Sequence, residues 1–194
     1  MCSTSHTQQE CQAVMAKAKE VFAKKLHDYG AAWRVMRPAT VTDQILIKAA
    51  RLRSLQEKGE ARVDESPDDA FIAIVNYSII ALIQCAEGAA PAPDMDAPTA
   101  LEHYDRWAET SLNLMQAKNH DYDEAWRSMR VSSMTDLIYM KLLRIKQIED
   151  LQGNTLASEG VDAGYMDMLN YAVFCLIRLY EADGRLEAKG HEAD

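Results

Sequence analysis

Two polar side chains, Asp167 and Asn170, lie within the largely apolar stretch 165–177 of the segment VDAGYMDMLNYAVFCLIRLYEADG. Their spacing of three residues places both on one face of a helix. Because residues 165–177 are apolar on nearly all sides, this helix is predicted to be buried. A buried carboxylate is costly unless it takes up a proton or a cation partners it. Lys141 and Arg144, also three residues apart, are the candidate partners, and a divalent cation is the alternative.

The acidic position supports two interpretations. In the first, Asp167 forms an ion pair in the core and Asn170 makes a hydrogen bond that fixes the register of the helices. In the second, carboxylate oxygens hold Mg²⁺ against a bound triphosphate while basic side chains hold the phosphate oxygens. The metal ligands would then be Glu159, Asp162 and Asp167. The phosphate-binding residues would be Lys141, Arg144, Arg127 and Arg130.

The motif HDYxxAWRxMR, which occurs at residues 27–37 and again at 120–130, combines aromatic rings and guanidinium groups. The arginines could bind phosphate in bidentate fashion, and the rings could stack on a nucleobase. The candidate stacking residues are Tyr122 and Trp126. The alternative is structural, because Trp and Tyr commonly anchor the packing between helices and the neighbouring Asp can pair with an Arg.

Both features belong to a tandem repeat. Shifting the chain by 93 residues aligns 25–51 with 118–144 without a gap, and 14 of those 27 positions are identical. A shift of 94 residues pairs the later segments, so that Asp167 corresponds to Ala73. The acidic residue is present in the second copy alone, which predicts one working site there and a degraded counterpart in the first. The first-copy counterparts are Glu65, Asp68, Asn76, Lys48, Arg51, Arg34 and Arg37.

Helical periodicity predicts three helices in each copy and no strand. The second helix of each copy is expected to begin at Thr40 or Ser133, each followed three residues later by an aspartate, which is the signature of a capped helix start. Two small amphipathic units would bury their apolar faces against each other. We therefore expect an all-α fold, a helical bundle built from two tandem three-helix repeats related by a pseudo-two-fold. The expected boundaries are 1–87 for the first repeat, 88–98 for an Ala/Pro/Asp linker and 99–194 for the second repeat.

Composition narrows the possible partners of the chain. With 48% hydrophobic and 26% charged residues, it is typical of a folded globular protein. A net charge of −9 argues against bulk nucleic-acid binding but not against a small anionic ligand at clustered basic residues. No apolar run approaches the roughly 18–20 residues of a membrane span. Four cysteines without a C-x-x-C pair indicate reduced thiols, so we expect a cytoplasmic protein with no membrane partner.

The stretch YDEAWRSMRVSSMTDLIYMKLLRIKQIED, followed by SEGVDAGYMDMLNYAVFCLI, resembles a bacterial family of unknown function whose domain is called the nucleotide modification associated domain. In that family the unit is typically duplicated within one short protein. The resemblance covers about 25–85 and 118–180 and implies a nucleotide-related role.

The segment DMLNYA at 167–172 is also similar to the D-x-x-N-Y-A segment of the all-α nucleoside triphosphate pyrophosphohydrolases, the MazG-like group. Those enzymes hold Mg²⁺ with acidic residues on two helices. Here their E-x-x-E helix is replaced by the cationic helix of Lys141 and Arg144. The resemblance implies a nucleotide-binding protein with Mg as cofactor and pyrophosphohydrolase-like activity. The other interpretation is a non-catalytic binding or scaffold module with Asp167 in a structural ion pair.

Overall fold

A computed structural model of the chain describes residues 6–59, 64–153 and 160–186. Within these ranges the chain forms six long α-helices, two short 3-10 turns and no strand. The helices are α1 (His6–Tyr29), α2 (Pro38–Lys58), α3 (Pro67–Glu87), α4 (Ala97–Tyr122), α5 (Val131–Asp150) and α6 (Val161–Ala182). The 3-10 turns, at Ala32–Val35 and Ala125–Ser128, join the first helix of each repeat to the second. The predicted all-α fold of two tandem three-helix repeats is confirmed.

The starts of α2 and α5 differ from the prediction. Both helices begin directly after the AWRxMR motif, at Pro38 and Val131, and neither start has a side-chain cap. Pro38 fits a first-turn position because the N–H that it lacks would have no helical partner there. The predicted caps at Thr40 and Ser133 were wrong because both residues already lie inside the first helical turn.

The two most apolar helices, α3 and α6, pack against each other at the centre of the molecule. Both bury apolar side chains on several sides, and Phe71, Ile79, Leu169 and Leu176 have no solvent exposure at all. Among the described helices, α3 alone is long and apolar enough by composition to cross a membrane, and 67% of its apolar window is buried inside the bundle. Burial of this apolar surface is the main force that holds the repeats together.

Contacts between the repeats occur in reciprocal pairs, as a two-fold relation requires. Asp43 on α2 forms an ion pair with Lys146 on α5, and Arg53 on α2 forms the equivalent pair with Asp136 on α5 at 3.0 Å. Positions 43 and 53 correspond to 136 and 146 under the 93-residue shift. These pairs require α2 and α5 to run antiparallel across the pseudo-two-fold axis. Asp43 and Asp136 therefore link the repeats and do not cap their own helices.

A second reciprocal pair differs in charge between the halves. Gln56 donates a hydrogen bond to Thr135 at 3.0 Å. In the equivalent place Thr42 donates to Glu149 at 2.8 Å and lies 2.6 Å from the hydroxyl of Tyr165. Burial raises the pKa of Glu149, although hydrogen bonds from Thr42 and Tyr165 act in the opposite direction. The two-fold relation therefore holds for residue positions but not for charge.

Candidate functional site

Each repeat contains a cleft between its first helix, its 3-10 turn and its third helix. The first cleft, in repeat one, has a volume of about 610 Å³, and the second cleft, in repeat two, has a volume of about 310 Å³. Most lining positions correspond under the 93- and 94-residue shifts. Residues that line the first cleft include Lys25, Tyr29, Trp33, Lys48, Ala73 and Tyr77. Residues that line the second cleft include Lys118, Tyr122, Trp126, Asp167, Asn170 and Tyr171.

The ends of α1 and α4 shape the entrances of the clefts. Gly30 follows α1 with a φ of +60°, a left-handed conformation that glycine adopts without strain. In repeat two, Asp123 and Glu124 take φ values of 48° and 52° instead. Other residues rarely adopt this conformation, and hydrogen bonds from Thr7 and Arg127 hold the carboxylate of Glu124. The backbone of the two entrances therefore differs at one position, because Ala31, the counterpart of Glu124, has a φ of −83°.

In the second cleft, Asp167 is paired with two lysines. Lys118 on α4 donates to one carboxylate oxygen at 2.6 Å, and Lys141 on α5 donates to the other. The Asp167 side chain is only 13% exposed. Burial by itself would raise the pKa of Asp167, but the hydrogen bonds and charges of the two lysines outweigh burial and lower it. This is the ion-pair arrangement of the first interpretation, with Lys118 in the place that was expected for Arg144.

The candidate metal ligands do not converge within the described part of the chain. Asp162 and Asp167 are five residues apart on α6, which separates them by about 140° around the helix. Asp162 is exposed, and neither Asp162 nor the neighbouring 160–161 segment lines the second cleft that contains Asp167. Glu159 lies outside the described residues.

The carboxylate of Asp167 does not fit a Mg²⁺ site. Both oxygens of Asp167 already accept hydrogen bonds from ammonium groups, whereas Mg²⁺ requires oxygen ligands in near-octahedral geometry. In residues 6–59, 64–153 and 160–186, no three His, Cys, Asp or Glu side chains are grouped so that they could hold a metal ion.

The candidate phosphate-binding arginines of repeat two differ in availability. Arg127 is held by three carboxylates, those of Glu10 at 2.5 Å, Glu124 at 2.6 Å and Glu181 at 3.0 Å. Glu10 is only 6% exposed, and the exposed imidazole of His6 also lies 3.2 Å from its carboxylate. Arg127 therefore joins α1 to repeat two and is not free to bind phosphate. The two arginines that are exposed and form no ion pair with a described residue are Arg130 and Arg144.

Trp126 and Tyr122, the candidate base-stacking residues, differ in the same way. Phe174 stacks on Trp126 with a centroid distance of 4.2 Å and an interplanar angle of 5°, and the guanidinium of Arg127 lies 4.4 Å from the ring centroid. Trp126 is 5% exposed, whereas Tyr122 is 71% exposed. Trp126 therefore contributes to packing between helices, and Tyr122 alone presents a ring to solvent.

The first cleft lacks the carboxylate that closes the second. Ala73 occupies the position of Asp167 on the third helix of the repeat. Lys25, the counterpart of Lys118, is exposed at this cleft and forms no ion pair with a described residue. Lys48, the counterpart of Lys141, also lines the cleft. Repeat one therefore keeps the two lysines that bind Asp167 in repeat two but has no acidic residue between them.

A different carboxylate partners Lys48. Glu65 lies 2.7 Å from Lys48 and 3.5 Å from Arg51. Asp68 faces elsewhere, because it pairs with Arg185 of repeat two. Glu65 and Asp68 correspond to the candidate metal ligands Glu159 and Asp162. Glu65 lines the first cleft, whereas Asp68 does not.

The first cleft is also wider because its aromatic residues are less tightly packed. Ile80 occupies the position of Phe174, so Trp33 has no stacked ring. The nearest aromatic neighbour of Trp33 is Phe22, at a centroid distance of 6.3 Å and an angle of 47°. Tyr29 at the entrance is 71% exposed. These differences agree with the twofold larger volume of the first cleft.

Arg34 and Arg37, the remaining candidates of repeat one, have unequal environments. Arg34 is 3% exposed and donates hydrogen bonds to Asp94 at 2.8 Å, to the carbonyl oxygen of Gly88 at 2.8 Å and to Gln84. It fastens the segment between the repeats to repeat one. Arg37 is exposed and has no ion pair with a described residue.

Asn76 and Asn170 make hydrogen bonds between helices, as the first interpretation expected for Asn170. Asn76 donates to the carbonyl oxygen of Ala18 at 2.9 Å, and Asn170 donates to that of Ser111 at 3.1 Å. The hydroxyl of Tyr104 also donates a hydrogen bond to the side-chain oxygen Oδ1 of Asn76, at 2.9 Å. Each asparagine thus ties the third helix of its repeat to the first.

Lys25 and Lys118 are the site residues that sequence reasoning missed. The available signal was their identity at the start of the aligned segments, two residues before the HDY motif. That signal did not show that the side chain of Lys118 reaches Asp167, which is 49 residues away in the chain.

The fold and the paired clefts define a duplicated helical module in which one cleft is larger and its smaller counterpart contains an internal ion pair. A family model described as nucleotide modification associated domain 1 matches residues 25–85 and 118–179, well over half of the chain. The chain belongs to this family, and the two matched segments correspond to the two repeats. Searches of curated proteins and of solved structures found no match to the chain.

Proposed function

We propose that the chain binds a nucleotide in the first cleft. The observation that carries the proposal is Lys25, a cation without an ionic partner among the described residues, at the edge of a cleft with aromatic side chains. A volume of about 610 Å³ lies within the range of small-molecule sites. The description of the family as nucleotide modification associated agrees with this chemistry.

Aromatic side chains at the entrance would hold the base. Tyr29 exposes most of its ring, and Trp33 and Tyr77 line the same cleft. Stacking of a base on an aromatic ring contributes about 1–3 kcal/mol and tolerates any base, because every base has a π-face. Lys25 and Lys48 would neutralise the negative charge of the ligand.

Repeat two would then be the structural partner in this function. Its cleft has half the volume, its tryptophan is stacked on Phe174, and Asp167 is held by two lysines. This division reverses the expectation that the second repeat carries the working site. It retains the idea of one site and one scaffold.

Hydrolysis of a nucleoside triphosphate stays a separate prediction. The carboxylates of the described residues do not fit Mg²⁺, so the binding proposal does not include this ion. Pyrophosphate release from nucleoside triphosphates with Mg²⁺ is the direct measurement. Release that disappears in Asp167→Ala would favour an enzyme over a binding module.

Calorimetric titration with nucleosides, nucleoside monophosphates and nucleoside triphosphates tests the binding proposal. We expect at least one nucleotide to bind the wild-type chain, with an affinity about tenfold weaker in Tyr29→Ala, since the loss of one stacked ring costs about 1.4 kcal/mol. Tyr122→Ala is the matched control, because Tyr29 and Tyr122 are equally exposed at 71%. Its affinity should equal that of the wild type.

Two results would contradict nucleotide binding in the first cleft. One is the absence of binding by any nucleotide at about 1 mM. The other is a loss of affinity in Tyr122→Ala that equals or exceeds the loss in Tyr29→Ala, which would move the site to the second cleft.

A further inference from the structure

We infer that the ligand of the first cleft is a nucleoside monophosphate whose phosphate lies beside Ala73, between Lys25 and Lys48, where repeat two has its own carboxylate from Asp167. The inference rests on the proposed nucleotide binding and adds the position and number of the phosphates. It makes residue 73, and its counterpart 167, the position that determines which cleft accepts a ligand.

The geometric basis is the equivalence of the three helices in each repeat. In repeat two, α4 supplies Lys118, α5 supplies Lys141 and α6 supplies the carboxylate between them. In repeat one, α1 and α2 supply lysines at the same aligned positions, and α3 supplies Ala73. A methyl group replaces the carboxylate, so the place between the lysines is left for an anionic group from outside the chain.

The charge of the first cleft favours one phosphate over three. Lys48 and Arg51 share Glu65, and Asp69 at the cleft is engaged with Ser66 in the cap of α3. Lys25 is the cation at this cleft that lacks an ionic partner among the described residues. Lys48 retains donors for a second acceptor, because an ammonium group has three N–H bonds. A triphosphate would bring several further negative charges to a site without cations to balance them.

Two differences close the second cleft. Asp167 occupies the place of the phosphate, and Phe174 occupies the space over Trp126 where Ile80 leaves the first cleft open. A nucleotide would have to displace a carboxylate that is held by two hydrogen bonds within the same chain. Because the internal group has a far higher effective concentration than a free ligand, the second cleft remains unliganded.

The experiment exchanges the two residues between the clefts. Binding of the nucleoside monophosphates that carry the common bases is measured by calorimetry against wild type, Ala73→Asp and Lys25→Ala. We expect one site per chain in wild type, an affinity at least tenfold weaker in Ala73→Asp, and about tenfold weaker in Lys25→Ala. Lys118→Ala is the matched control for Lys25→Ala and should leave the affinity unchanged.

The reciprocal variant, Asp167→Ala with Phe174→Ile, gives the second cleft the residues of the first. We expect it to bind two nucleoside monophosphates per chain. Its melting temperature and circular dichroism, measured beside the titration, establish that the variant is folded. Ala73→Asp provides the result that does not depend on this variant, because it changes a partly exposed position without removing core volume.

The outcomes separate this inference from the proposed function. If no nucleotide binds the wild-type chain, the proposed function fails. If a nucleotide binds but Ala73→Asp leaves its affinity unchanged, the phosphate does not lie beside residue 73 and the inference is overturned while the proposed function stands. Tighter binding of the triphosphate than of the monophosphate of the same base would also overturn it.

Discussion

The two clefts of this chain are lined largely by equivalent positions, but they differ in how their lysines are paired. In repeat two, both lysines form ion pairs with one carboxylate of the same chain. In repeat one, Ala73 leaves Lys25 without an ionic partner among the described residues. A duplicated scaffold thus provides two clefts that differ at a single acidic position. The absence of the carboxylate, at Ala73, accompanies the larger cleft.

The largest expected effect is a difference in stability between variants of two ion-paired arginines, the partly buried Arg127 and the buried Arg34. Arg127→Ala should lower the free energy of unfolding by about 3 kcal/mol, because it takes the guanidinium from the buried carboxylate of Glu10 and leaves the exposed imidazole of His6 beside it. Arg34→Ala should cost less, about 2 kcal/mol, because its carboxylate partner Asp94 is half exposed and stays hydrated. Urea denaturation of both variants measures the difference.

A double variant controls this comparison. Glu10→Gln combined with Arg127→Ala should be more stable than Arg127→Ala alone, since the uncompensated charge is gone. A double variant no more stable than the single one would show that Arg127 acts through packing instead.

The next effect concerns the acidic position. Asp167→Ala should destabilise the chain by about 2 kcal/mol, because two charged hydrogen bonds are lost and Lys141 remains partly buried. Ala73→Asp should not destabilise it, since the new carboxylate meets two lysines. Thermal unfolding of the two variants measures both. A loss of stability in Ala73→Asp as large as that in Asp167→Ala would show that the repeats do not present equivalent lysines.

The effect of Asp167 should also depend on pH. Its pKa is lower in the folded chain than in the unfolded chain, so its contribution is complete above the ordinary aspartate pKa of about 4. The contribution is lost as the pH falls through the lower folded value. The difference in stability between wild type and Asp167→Ala should therefore shrink in that acidic window and stay constant near neutrality.

A smaller effect of opposite sign is expected at Glu149. Its pKa is raised in the folded chain, so its contribution is favourable below the unfolded pKa and is lost as the pH rises through the folded value. Glu149→Gln should therefore raise the melting temperature at neutral pH by roughly 2–4 °C, or about 1 kcal/mol. Gln56, its counterpart, already has an amide at this position. Equal melting temperatures for wild type and variant at pH values on both sides of this window would contradict the prediction.

The smallest effects should come from the reciprocal ion pairs between the repeats. Asp43→Ala and Asp136→Ala should each change stability by about 0.5 kcal/mol or less, because both carboxylates are more than half exposed. Added salt should reduce both effects further. Unequal effects of the two variants would show that the pseudo-two-fold relation does not extend to these charges.

Much of the fold could be predicted because its signals are local. Apolar residues at helical spacing predicted the six helices, and identity between the copies predicted their arrangement as repeats. The starts of α2 and α5 were missed because the hydroxyl-then-aspartate pattern at Thr40 and Ser133 is also compatible with positions inside the first turn. At Thr42 and Thr135 the hydroxyls instead contact the opposite repeat, which no local pattern reveals.

The candidate site was predicted less completely, for a similar reason. Lys141 was expected to partner Asp167 and does so, but Lys118 was missed because it lies on a helix far away in the chain. Arg127 and Trp126 were interpreted as ligand contacts, with packing as the alternative. Their partners Glu10 and Phe174 come from other helices, and these partners take up the groups that a ligand would have used.

The sequence by itself determined the duplication, the helical class of the fold and the exchange of Asp167 for Ala73. These features depend on residue type and spacing along the chain. Tertiary structure alone decided that Asp167 pairs with Lys118 and Lys141 and that Ala73 lies in the larger of the two clefts. The pairing depends on how close side chains from three helices lie in the folded chain. It also depends on whether ion pairing outweighs the cost of burial there.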